Sequence, residues 1–427
     1  LALKPLNPIA WAFASSHEHI NRYHRVLGRI IYALLWLHLL FYNFYFLLAG
    51  IWLKRIFDTI VFCGVLASLG FHGIATTAMH KAREYSYRLF FITHLVVALF
   101  MPILLFFHAP TARFYIVEAL AIFILDLAVR RITTVNTPST VEAIPGTTLV
   151  KVTSTVPLQK LAPFRDNPGS HIYLSVPPPA RTAAVPASNS GIFDYLYNPF
   201  TVAAVDGEEG TISFIARVRN GPLTNALSAY SSADPTSPAD SPRVTLGIEG
   251  PYGVMSRRYN ELLNWGASKI LFVCGGVGAT FTLPIYLALK NELTTVKFQF
   301  IWAIRGAGDA TWAVSNTNVG KGILEDSNVQ LFLTGDMGVG DDNDSVSDGA
   351  VELATLRRTN GRLTANHNRK RPNIEKIVDD LFRGGLDDSV AVIVCGPVNM
   401  TREVRQKVRP YVMKGRRVWW HNETFGW

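Results

Sequence analysis

Four histidines are set apart by their spacing. His24 and His38 lie 14 residues apart in one apolar run, and His94 and His108 lie 14 apart in another. On an α-helix, fourteen steps return to within about 40° of the starting face after a climb of about 21 Å. Two parallel helices carrying these residues would set His24 opposite His94 at one level and His38 opposite His108 at a second. Imidazole is a common axial ligand of haem iron, and an ionisable side chain inside a membrane is a functional candidate by default. The pattern predicts two stacked b-type haems, each held by two histidines, and an electron path across a bilayer. His80 also precedes His94 by 14 residues, but it sits in the charged stretch HKAREYSYR. His72 reads as a polar packing residue.

A second kind of chemistry is written in glycine. GGVGATFTLP, from Gly275 to Pro284, follows the apolar run ILFVC and opens a helical stretch. Gly275, Gly276 and Gly278 let the backbone approach a pyrophosphate, and the helix N-terminus favours the anion. CGPVNM at 395–400 repeats the arrangement after what reads as the last parallel strand. Ligands of open α/β sheets collect at the carboxyl ends of the strands, so both turns are expected to face one crevice.

The rest of the chain must position these groups. Its 427 residues are 49% hydrophobic and only 17% charged, against about 25% charged in soluble domains, and the mean hydropathy is +0.19. Low charge excludes a disordered chain. The apolar excess is local, at residues 26–129, while 140–427 reads as ordinary soluble sequence. Three cysteines (Cys63, Cys274, Cys395) are too scattered for a disulfide framework or a CxxC metal site. The net charge of +9 collects at the ends of apolar segments and points to a lipid bilayer, with no nucleic-acid partner. The chain opens on Leu1 without a signal-peptide pattern, so further sequence and spans are expected before it.

Four spans are expected, near 27–53, 56–78, 89–108 and 114–129; the last is shorter and carries Glu118 and Asp126. Arg22, Arg25, Arg29, Lys81, Arg83, Arg88, Arg130 and Arg131 gather on one side, against Lys54, Arg55 and Arg113 on the other. The richer side is the cytosol by the positive-inside rule, which places the soluble half inside the cell.

In that half, TTLVKVTSTV, GSHIYLSV, FTVAAV, TISFIARV and RVTLGI read as strands of an antiparallel barrel. KILFVC, KFQFIWAI, NVQLFLT and SVAVIVC are continuous apolar runs suited to a doubly wound parallel sheet. The expected fold is a multi-domain membrane protein. A cytosolic lead-in occupies 1–23, an α-helical transmembrane bis-haem domain 24–131, a β-barrel 140–255 and an α/β domain 268–427 with a disordered insertion at 335–372.

With these motifs in place the chain resembles the ferric reductase and NADPH oxidase superfamily, most closely the fungal ferric-chelate reductases, over nearly its whole length. The resemblance implies an FAD-binding barrel followed by a ferredoxin-NADP reductase-like NADPH domain. The family's flavin motif His-Pro-Phe-Thr is matched by Pro199, Phe200 and Thr201, with Asn198 in the first position. The flavin pyrophosphate turn is matched by Gly221 and Thr224 after Arg219, and EGPYG (249–253) matches a further barrel element. For NADPH the resemblance implies Gly275, Gly276, Gly278 and Thr280 at the pyrophosphate, and Cys395, Gly396 and Pro397 beside the reacting ring. Arg305 is implied for the 2′-phosphate, with Arg371 a second candidate. Phe425, with Trp427 as runner-up, would cover the flavin ring.

The resemblance then implies a vectorial path from cytosolic NADPH through FAD and two haems to extracellular ferric or cupric chelates. It implies a plasma-membrane location, the vacuolar membrane being the alternative, and an iron-uptake partner in the membrane. A superoxide-generating oxidase and a catalytically silent membrane subunit are the competing readings.

Overall fold

The computed structural model describes residues 12, 17–181, 187–219, 221–231, 243–314, 323, 326–335, 367–368, 371–385 and 388–423. It divides into two units, Leu1–Val135 and Asn136–Trp427.

The first unit is helical: α1 (His17–Leu48), α2 (Thr59–Thr77), α3 (His80–Tyr85), α4 (Tyr87–His108) and α5 (Arg113–Thr133). Asp58 caps α2 by accepting from the Ile60 amide, and Ser86 caps α4 by accepting from Leu89. Large apolar side chains such as Leu40, Phe44, Phe100 and Ile103 are exposed along α1 and α4. Lipid is the solvent such faces fit, because the helical backbone satisfies its own hydrogen bonds. Helix α2 lays small residues against α4. A Cβ on Gly70 would lie 3.1 Å from both Val97 and Met101, and Ala67 is buried. Close backbone approach of this kind is how membrane helices associate without a hydrophobic driving force.

Among the described residues, three helices are long and apolar enough to cross a membrane: Ile20–Leu48, Thr59–Thr77 and Tyr87–His108. That is one fewer than the sequence suggests. The fourth segment is helical, but α5 carries Arg113, Glu118, Asp126, Arg130 and Arg131. Asp126 is buried and Arg130 donates to it at 3.2 Å, so the charges pair within the protein. The first apolar run also breaks early. Gly50 takes a left-handed conformation (φ 66°) and a five-residue helix, Trp52–Ile56, follows.

The second unit holds a closed barrel and an α/β sheet. The barrel strands are β1 (Val135–Ala143), β2 (Leu149–Thr155), β3 (His171–Ser175), β4 (Asn198–Asp206), β5 (Thr211–Arg217) and β6 (Val244–Tyr252), ordered β1-β2-β5-β4-β3-β6. Val152 pairs with Phe214 and Leu174 with Ile248, all four buried. The strand β1, VNTPSTVEA, precedes the first run that the sequence marks as a strand, TTLVKVTSTV. It joins the barrel because alternate residues Ser139 and Val141 turn inward, where Ser139 and Ser154 share a 2.7 Å hydrogen bond. Helix α6 (Pro222–Ser231) follows β5.

The sheet runs β10-β9-β8-β7-β11-β12, every pair parallel. Its strands are β7 (Lys269–Gly275), β8 (Lys297–Ile304), β9 (Val329–Leu333), β10 (His367–Asn368), β11 (Val390–Cys395) and β12 (Val418–Glu423), with helices α7 (Ala279–Glu292), α8 (Ile374–Leu381) and α9 (Val398–Met413). Alternation along β7 sends Ile270, Phe272 and Cys274 into one core with Tyr286 and Trp302, and Leu271 and Val273 into another with Val378 and Val404. Two sequence readings change here. The strand before CGPVNM is not the last, since β12 pairs beyond it. Within the expected disordered insertion, His367–Asn368 forms the edge strand β10 beside β9; most of 335–372 lies outside the described residues.

Candidate functional site

In the helical unit, the structure brings the two histidine pairs together. The rings of His24 on α1 and His94 on α4 have centres 6.2 Å apart, and those of His38 and His108 have centres 6.1 Å apart. Two metal–nitrogen bonds of about 2 Å, with about 1 Å from each nitrogen to its ring centre, would set coaxial imidazoles about 6 Å apart. Both pairs have that spacing. His108 Nδ1 lies 2.7 Å from the Ile60 carbonyl. Donation there puts the proton on Nδ1 and leaves Nε2 as the lone-pair nitrogen, which is how an outer hydrogen bond prepares a metal ligand. Gly64 makes room for this ring, since a Cβ at that position would collide with it. His94 Nδ1 is buried without a partner. These residues fit bis-histidyl haem.

The other histidines go elsewhere. His80 pairs with Glu84 at 3.1 Å on the surface. His72 Nδ1 contacts the Ser68 carbonyl at 2.7 Å, and its ring packs between Tyr32 and Trp36.

In the barrel, Pro199, Phe200 and Thr201 lie on β4, in register with Tyr173, Ile172 and His171 of β3. Phe200 stacks on Phe214 with ring centres 5.5 Å apart. The turn into α6 is tied by one hydroxyl. Thr224 Oγ1 donates to the Arg219 carbonyl at 2.8 Å and accepts from the Arg219 amide at 3.3 Å. Pro222 opens the helix where an amide would have no partner. Gly221 precedes it, and Arg219 is exposed. A hydroxyl-tied turn at a helix N-terminus, with an exposed cation beside it, suits the pyrophosphate of a flavin dinucleotide.

In the sheet, β7 is flanked by β8 on one side and β11 on the other, so the strand order reverses there. Cys274 and Cys395 are register partners, which places the two glycine turns side by side. A Cβ on Gly275 would lie 2.8 Å from Pro397, one on Gly396 would lie 3.0 Å from the Gly275 amide nitrogen, and one on Gly278 would run into the Cys395 carbonyl. Gly276 has φ 53°, in the left-handed region, and its carbonyl accepts from Trp302 Nε1 at 3.0 Å. Thr280 is buried and its hydroxyl is committed to the Val277 carbonyl at 2.8 Å, so it buttresses the turn. Cys395 is fully buried; burial first, then Glu423 and Cys274, push its thiol well above the ordinary range. It stays a neutral thiol.

Arg305 follows β8 and lines a cavity of about 490 Å³. Arg371 is exposed. Phe425 and Trp427 lie outside the described residues.

Comparison with known proteins agrees with this architecture. Residues 1–105 match the ferric reductase like transmembrane component, and residues 267–409 match the ferric reductase NAD binding domain. The chain belongs to the ferric reductase superfamily. It is 23% identical to a probable metalloreductase of Meyerozyma guilliermondii, over 92% of this chain and 74% of the relative. A probable metalloreductase of Scheffersomyces stipitis is 24% identical, over 100% of this chain and 77% of its own. The ferric/cupric reductase transmembrane component 2 of Schizosaccharomyces pombe is 22% identical, over 98% and 76%.

This ferric reductase superfamily member is a membrane oxidoreductase with flavin- and nicotinamide-type domains. Two residues near its sites, Arg217 and Asp309, escape motif reading, and Glu249 is read from the sequence only as part of EGPYG. Glu249 is fully buried, with Oε1 accepting from the Tyr252 hydroxyl at 2.6 Å and Oε2 unpartnered. Arg217 and Asp309 line the cavity with Arg305. The only signal for Arg217 was a cation ending the apolar run TISFIA.

Proposed function

We propose that the chain is an NADPH-dependent ferric-chelate reductase that carries electrons from the cytosol across the plasma membrane to extracellular Fe(III), with Cu(II) as a second metal substrate. The observation that carries this reading is the spacing of His24 with His94 and of His38 with His108, at two positions along the same two helices. Metalloreductase and ferric/cupric reductase relatives support the acceptor class.

In this reading residues 24–131 hold the haems, 140–255 the FAD and 268–427 the NADPH. Bound there, FAD supplies the passage from hydride chemistry to single-electron chemistry and the haems supply the relay. The protein's part is placement. Pro199, Phe200 and Thr201 carry the flavin ring on β4, while Arg219, Gly221 and Thr224 hold its pyrophosphate. Gly275, Gly276 and Gly278 admit the nicotinamide dinucleotide, with Thr280 keeping the turn rigid. Cys395, Gly396 and Pro397 border the reacting ring, Arg305 meets the 2′-phosphate, and Phe425 covers the flavin. His108, held by Ile60 through Nδ1, would have Nε2 free to hold a haem. The cluster of Arg22, Arg25, Arg29, Lys81, Arg83 and Arg88 supports the cytosolic face of the spans.

Reduced-minus-oxidised spectra of membranes, together with NADPH-driven reduction of an Fe(III) chelate, test the proposal. Low-spin bis-imidazole haem and chelate reduction unaffected by superoxide dismutase are expected. Absence of haem, or reduction abolished by the dismutase, would overturn it.

A further inference from the structure

Arg217 closes β5 of the barrel, and its guanidinium reaches the dinucleotide domain. Nη2 lies 3.6 Å from Asp309 Oδ2, and Nε is buried without a partner. The same guanidinium overhangs the glycine turn: Nη2 is 3.5 Å from where a Cβ on Gly276 would stand. Arg217, Asp309 and Arg305 all line the cavity, with Thr147 and Thr148 from the β1–β2 connection.

In doubly wound domains, the segment after the second strand meets the adenosine ribose. An acid there bonds the 2′-hydroxyl and selects the unphosphorylated cofactor, while an arginine accommodates a 2′-phosphate. Here the segment after β8 carries both, Arg305 and, four residues on, the buried Asp309. An uncompensated carboxylate would repel the phosphate that Arg305 attracts. The one side chain paired with that carboxylate among the described residues comes from the other domain.

We propose that the Arg217–Asp309 pair sets the 2′-phosphate selectivity of the nicotinamide site. Arg217 cancels the carboxylate and lets Arg305 accept the phosphate. Without Arg217 the site favours the ribose with a free 2′-hydroxyl. Arg217 is thus a positioning and specificity residue, and this inference rests on the NADPH reading above.

The test uses the full chain in detergent with its cofactors bound, titrated with 2′,5′-ADP and with 5′-AMP by calorimetry. The wild type should prefer 2′,5′-ADP. Arg217→Gln should weaken 2′,5′-ADP by about tenfold or more and leave 5′-AMP within about threefold, and adding Asp309→Asn should restore most of the loss. Steady-state kinetics should show the same change in KM for NADPH with kcat little altered. An unchanged ligand ratio in Arg217→Gln, an equal loss for both ligands, or no rescue in the double variant overturns the pair's role. If the wild type shows no preference for 2′,5′-ADP, the NADPH reading itself has failed. Should Arg217→Gln not fold, Asp309→Asn alone decides: tighter 2′,5′-ADP binding is expected, and unchanged or weaker binding overturns the proposal.

Discussion

His38 faces His108 with ring centres 6.1 Å apart and ring planes at 87°. Among the described residues neither ring has a carboxylate partner, and the His108 ring is fixed from behind by Ile60. If this pair holds a haem as proposed, replacing either histidine by alanine would remove one of its two protein ligands at the His38–His108 level only. His38→Ala or His108→Ala should lose about half the low-spin haem per chain and all extracellular reduction, while flavin reduction by NADPH persists. Pyridine-haemochrome quantitation and stopped-flow flavin bleaching check this. A variant with full haem content would refute the ligand assignment.

Gly64 offers a test that leaves both ligands in the sequence. Its α2 backbone passes so close to the His108 ring that a Cβ must displace it. Gly64→Ala should therefore shift or remove the outer haem signal while sparing the His24–His94 level. Redox titration of the haem absorbance would show one potential retained and one altered or lost. Two unaltered potentials would mean that the ring does not depend on this contact.

Gly278 is constrained by the neighbouring strand end. The added methyl in Gly278→Ala meets the Cys395 carbonyl, and the two turns must separate to admit it. Overpacking of this kind costs about 1–3 kcal/mol. The expected result is a lower unfolding temperature and a raised KM for NADPH, with haem content unchanged. Thermal unfolding followed by tryptophan fluorescence, alongside flavin-reduction kinetics, reads both effects.

Thr224 ties the turn that opens α6. Thr224→Val keeps the shape and removes both hydrogen bonds to Arg219. With the turn loosened, FAD retention through purification should fall several-fold, and Thr224→Ser should restore it. Flavin fluorescence after protein precipitation gives the occupancy directly. Equal FAD in all three proteins would rule out the turn as a flavin clamp.

Periodic signals in the sequence carried well into structure, and signals that depend on a distant partner did not. The 14-residue histidine spacing is a property of one helix, so it could be read before α1 and α4 were known to pair. The runs ILFVC and VAVIVC likewise announce buried parallel strands, because both faces of β7 and β11 are covered. The strand β1 hides because its inward residue Ser139 is polar and finds its closer hydrogen-bond partner, Ser154, across the barrel. Helix α5 is less legible: its apolar residues suggest a span, its charges argue against one, and the pairing of Asp126 with Arg130 could not be read from the sequence. Arg217 was invisible as a site residue since its partner, Asp309, belongs to another domain. Thr280 shows a subtler limit. Its type fits a phosphate ligand, and its hydrogen bond to the Val277 carbonyl within the same turn could not be read from the sequence.

Asp326 supplies a pH-dependent brace beneath the dinucleotide sheet. Burial alone would raise its carboxyl, but hydrogen bonds from Lys290 and Tyr286, with the Asn328 amide, hold it below the ordinary range. Lys290 Nζ lies 2.6 Å away and the Tyr286 hydroxyl 2.5 Å away. A carboxyl whose pKa is lower folded than unfolded adds stability above the unfolded value of about 3.9, and that stability is lost as pH falls through the folded value. The wild type should therefore lose this contribution only below about pH 4. Asp326→Asn should be less stable by about 1–3 kcal/mol at neutral pH, leaving Tyr286 and Lys290 poorly partnered. The gap between the two proteins should close as the pH falls below about 4. Denaturant unfolding of the full chain in detergent, read by tryptophan fluorescence at a series of pH values, measures that gap. A constant difference from neutral to acid pH would show that the carboxylate charge at Asp326 does not brace the fold.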